Sequence, residues 1–92
     1  MDPAAARVFV VTLEGVEAQG APPLTVLAFV RAATAEAAEA GAAAELAGLG
    51  WSAVQVLRSG EVTDAAALPE DFRGAMQTAL RFGCGLIIYD AD

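Results

Sequence analysis

The chain contains no histidine, no lysine and a single cysteine, Cys84. Each absence removes a class of chemistry. Without histidine there is no Ser-His-Asp or Cys-His arrangement. One cysteine and no histidine cannot furnish the four ligands of a structural zinc site, and one cysteine forms no internal disulfide. Lysine nucleophiles and Schiff bases are excluded outright. No Walker A loop occurs, and the G-x-G of Gly83-Cys84-Gly85 precedes an expected strand instead of following one, so the dinucleotide fingerprint is missing. No apolar run approaches the ~20 residues that cross a bilayer. Nor does the N-terminus combine basic residues, an apolar stretch and a cleavage site, so a cytoplasmic location is expected.

Basic charge is also scarce. Twelve acids face five arginines, a net charge of −7. This argues against nucleic acid, which is held by cations on phosphate, and against anionic membrane surfaces. It suits solubility, or docking to a basic protein.

What the chain does have is hydrophobicity. Hydrophobic residues make up 57% of its 92 positions, and 23 residues are alanine. That excludes disorder and fits one domain spanning residues 1–92. The apolar residues are arranged unusually. Arg7–Glu14, Leu24–Ala32 and Gly85–Asp90 read as strands that are apolar on both alternating faces. A half-exposed strand alternates apolar with polar. These strands therefore need cover on each face.

Between them, Gly15–Pro23 reads as a loop, with two glycines and a Pro-Pro pair. Thr34 reads as the N-cap of a helix running to about Leu49, with Ala35, Ala38, Ala42, Leu46 and Leu49 on one face. A third strand is expected from Trp51 to Arg58. Ser59-Gly60 reads as a turn, with room for a short fifth strand at Glu61-Val62-Thr63. Pro69 fits the first turn of a second helix, whose stripe is Phe72, Met76, Ala79 and Leu80. Gly83 stops it.

The order is ββαβαβ, and the expected class is α+β: a two-layer sandwich, a mixed four-stranded sheet with both helices on one face, ferredoxin-like in character. The competing arrangement puts the two helices on opposite faces.

Three chemical candidates remain. Cys84 follows a helix C-terminus, where the dipole raises a thiol pKa, so it reads as an inert small residue. Asp90 and Asp92 with Asp64 or Glu61 offer oxygen ligands, but in no calcium-loop spacing; no metal or other cofactor is expected. Trp51, Tyr89, Phe9 and Phe29 read as core or interface aromatics, or as the lining of a small apolar pocket.

If both helices share a face, the other face must be covered by a second copy. Stepping back by two from Arg31 and Arg58 gives Leu27, Phe29, Val54 and Val56 as its expected members; strand one adds Val10 and Thr12, the set that holds its polar residue, and Tyr89 joins them with its hydroxyl toward the rim. The expected function is thus a non-catalytic homodimeric interaction or regulatory module. The alternatives are a small-molecule-sensing regulatory domain and an acidic inhibitor or immunity-type protein that binds a basic partner.

Overall fold

The computed structural model describes residues 7–89. The paired apolar segments become strands β1 (Val8–Val16) and β2 (Leu24–Arg31), an antiparallel hairpin in full register from Val8 opposite Arg31 to Gly15 opposite Leu24. Helix α1 (Ala35–Gly48) begins where expected: the Thr34 hydroxyl accepts a hydrogen bond from the Ala37 N–H, satisfying one orphan amide of the first turn. Strand β3 (Ser52–Glu61) follows, then a short 3-10 turn at Ala65–Ala67, helix α2 (Glu70–Phe82) and strand β4 (Cys84–Tyr89). Gly83 ends α2 at φ 96°, a conformation that suits glycine.

The strands form a four-stranded sheet in the order β3-β1-β2-β4, and every neighbouring pair is antiparallel. The class is therefore α+β, with the ββαβαβ order as read. The sheet is antiparallel throughout, not mixed. β1 is antiparallel to both of its neighbours, so β2 and β3 run parallel with β1 between them, and α1 carries that connection over β1.

The two helices do not share a face. Phe9, Val11, Leu13, Val26, Ala28 and Val30 point to one side, where they bury against Ala38, Ala42 and Leu46 of α1. Val8 and Phe29 point to the other side and bury against Ala75, Met76 and Ala79 of α2. Each helix makes a helix-on-sheet sandwich, and the two share one sheet. This is why the strands are apolar on both alternating faces. The expectation of both helices on one face is corrected accordingly.

The short fifth strand is also absent among the described residues. β3 runs straight through Ser59-Gly60 to Glu61, and Val62 donates a backbone hydrogen bond to Val8 O. The ferredoxin-like reading of residues 24–90 needed that strand and a shared helix face, and it finds support in neither.

Two details of the helix stripes differ from the pattern. Leu80 is 39% exposed, and Ala75 takes its place in the contact; Leu49, just past the end of α1, is 57% exposed. Small side chains matter because they allow close approach. At Gly85, opposite Phe29 in β4, an added Cβ would come within 2.2 Å of the Ala75 carbonyl oxygen. Backbone of α2 thus rests directly on backbone of β4.

Candidate functional site

The seven residues expected to form one open face divide between the two sides of the sheet. Val10, Thr12, Leu27, Phe29 and Tyr89 share the α2 side by register. Phe29 is 1% exposed and stacks at 5.8 Å, tilted 58°, against Phe72 of α2. It belongs to the core, not to an open surface. Val54 and Val56 pack on the α1 side. The reason is a bulge. Thr12 pairs with Arg58 but Leu13 pairs with Val56, so Leu57 is an extra residue, and a slip of one residue turns every following side chain to the other face. Stepping by two from Arg58 carried the wrong face across that bulge.

The aromatic pocket is divided in the same way. Phe9 and Trp51 lie in the α1-side core, whereas Phe29 lies in the α2-side core and Tyr89 shares the Phe29 side by register. Asp90 and Asp92 lie outside the described residues, among which no acid, cysteine and histidine grouping suits a metal ion. A shallow groove lined by Ala66, Arg73, Met76 and Gln77 flanks α2, but the Arg73 guanidinium is already spent on the Leu68 and Ala66 carbonyls.

Cys84 opens β4 beside α1. Burial first, and the negative charge of Glu45 second, together raise its thiol pKa from the ordinary 9.0 to about 11. It is a protonated thiol at neutral pH, as its place after a helix C-terminus suggested.

The sheet edges are the unusual feature. β3 is blunted as exposed edges commonly are. It carries two register breaks, Ala53 at φ 51°, and the charges of Arg58 and Glu61. β4 has none of these devices. Cys84-Gly85-Leu86-Ile87-Ile88-Tyr89 pairs with β2 in unbroken register and holds no charged side chain. Ile88 and Tyr89 are 44% and 43% exposed, and Phe82, just before the strand, is 75% exposed.

The hydrogen-bond phase of that edge follows from two backbone bonds. Arg31 N–H donates to Gly83 O, and Ala32 N–H donates to Arg7 O. Directly opposed residues in antiparallel strands alternate between bonded and non-bonded pairs. Gly85, Ile87 and Tyr89 therefore turn their N–H and C=O groups toward β2. Cys84, Leu86 and Ile88 turn theirs outward, where no strand among the described residues meets them. Sequence reasoning identified β4 but missed this edge, because strand order is non-local; the available signal was an apolar terminal strand with no lysine, proline or bulge. No helix among the described residues is long and apolar enough to cross a membrane. Comparison with family models, with curated proteins and with solved structures finds no match.

Proposed function

We propose that this protein is a non-catalytic interaction or regulatory module that works as a homodimer. The β4 edge, which no strand among the described residues covers, carries this reading. An exposed row of N–H and C=O groups is a template for another strand, and proteins ordinarily blunt it. Here one edge is blunted and the other is not, and strand addition at an open edge is a recurring mode of recognition. The non-catalytic part rests on the inventory: no histidine or lysine in the chain, and one thiol held protonated at neutral pH. The helices cover both faces of the central strands, which favours the edge over a sheet face as the joining surface.

Light scattering coupled to size exclusion tests the reading. A mass near twice the 9.3 kDa of one chain is expected across the micromolar range. A mass equal to one chain throughout that range would overturn it.

A further inference from the structure

Resting on the homodimer reading, we infer that two copies join by antiparallel pairing of β4 with β4, in the register that sets Leu86 opposite Leu86 of the second copy. A closed dimer of identical strand edges is two-fold and antiparallel. Only the outward residues Cys84, Leu86 and Ile88 can form bonded pairs across the new junction. Centring on Leu86 uses all three, pairing Cys84 with Ile88 of the second copy and Ile88 with its Cys84. Gly85 then faces Ile87 without hydrogen bonds.

Helix α2 selects the same register independently. It rests on β4 and β2 and enters β4 through Gly83, so it runs back along the strand. Ala75 lies over Gly85, and Met76 lies on the flank away from the edge, in the groove with Ala66 and Gln77. At 100° per residue the flank toward the free edge is Asp71, Gly74, Thr78 and Phe82, all exposed. Nothing lies within 4 Å of the missing Cβ of Gly74, which leaves a notch in that flank. Four helical residues rise about 6 Å, nearly the distance of about 6.6 Å that two strand residues span. With Ala75 over Gly85 and α2 running back along β4, Thr78 lies near the level of Cys84, Gly74 lies between Gly85 and Leu86, and Phe82 lies beyond the Gly83 end of the strand. A two-fold axis through Leu86 therefore brings the Gly74 notch of one copy beside the Gly74 notch of the other, where the missing side chains let the two helices approach. The two α2 axes fall about two strand spacings apart, roughly 10 Å, close to the distance at which helices pack.

Charge favours a second copy over other strands. A chain of net charge −7 repels its like, so a self-interface has to be neutral or internally complementary. β4 is neutral. At its Gly83 end stand Arg31, which donates to Leu80 O, and Arg81. Toward its other end stand Glu70 and Asp71 in the first turn of α2. Antiparallel pairing sets the arginine end of one copy beside the acidic end of the other, twice.

The test is Ile88→Pro. Proline at Ile88 deletes an outward N–H and leaves the bonds to β2 intact, which an edge position tolerates. The mass should fall to that of one chain while the circular dichroism spectrum is retained, and Ile88→Val should stay dimeric. Should the proline variant not fold, Leu86→Cys in a Cys84→Ala background answers the same question. Paired Cα atoms at about 5.5 Å fall within disulfide range, so mild oxidation should give a covalent dimer, and Gln55→Cys on the β3 edge in that background should not. A wild-type chain that is monomeric overturns the homodimer reading itself. A wild-type dimer that survives in folded Ile88→Pro, or that fails to cross-link through Leu86→Cys, keeps the dimer and overturns the β4 register.

Discussion

Replacing Gly85 by alanine probes the packing of α2 on β4 with a single methyl group. The new Cβ would lie 2.2 Å from the Ala75 carbonyl oxygen and 2.9 Å from its carbonyl carbon. Both are backbone atoms, so no side-chain rotation relieves the clash. Non-bonded atoms settle near 3.5 Å, so α2 has to lift by about 1 Å along its contact. That loosens Ala75, Met76 and Ala79 together, the side chains that α2 buries. Overpacking of this kind costs about 1–3 kcal/mol, and a rigid backbone contact belongs at the upper end. In a domain of this size each kcal/mol moves the melting midpoint by about 4–8 °C, so a loss of roughly 10–20 °C is expected. Urea melts at fixed protomer concentration measure it, since association alters apparent stability. Gly41→Ala is the control. Gly41 is exposed in the interior of α1, and the nearest atom to its missing Cβ is Val30 Cγ1 at 3.5 Å, so the variant should gain about 0.5–1 kcal/mol. A Gly85→Ala midpoint within half a kcal/mol of wild type would show that α2 does not rest on this face of β4, and the opposite-face arrangement would fall with it.

Four further outcomes follow from the same geometry. Phe29→Ala should cost about 3–5 kcal/mol in urea unfolding, since a ring 1% exposed between sheet and α2 is lost. Gly74→Gln, where nothing lies within 4 Å of the missing Cβ, should not destabilise a dilute monomeric sample but should weaken dimerisation measured by sedimentation. Thr34→Ala removes the hydroxyl that accepts from Ala37 N–H and should cost about 1 kcal/mol. Cys84 should react slowly with thiol reagents at neutral pH. Its folded pKa lies above its unfolded value, near 11 against 9.0, so the unfolded thiol ionises first. Stability from this group is complete below pH 9.0 and declines as pH rises toward about 11. Comparing pH-dependent melts of wild type and Cys84→Ala reads that decline.

Much of this fold was legible in local chemistry. Thr34 announced its helix because a hydroxyl there has one obvious use, and Gly83 announced the end of another because a left-handed residue was needed. The apolar double faces of β1 and β2 correctly demanded cover on both sides. Where that cover comes from was not legible. α1 and α2 lie on opposite faces because β3 lands beyond β1 and β4 beyond β2, and no residue near either helix encodes that order. Val54 and Val56 were assigned to the wrong side for a different reason. The alternation rule assumes an unbroken register, and the bulge at Leu57 is made by β1 and β3 together. The β4 edge lay in plain sequence, but an edge exists only once strand order is known.

Amide hydrogen exchange along β4 reports residue by residue whether its outer edge is paired. The N–H groups of Gly85, Ile87 and Tyr89 face β2 and should be protected at any concentration. Those of Cys84, Leu86 and Ile88 face outward, and an occupied edge protects them as well. Protection is expected at all six positions in the micromolar range, with the outward three losing it on dilution. Protection that alternates along β4 at every concentration, with Leu86 and Ile88 exchanging freely, would contradict pairing at that edge.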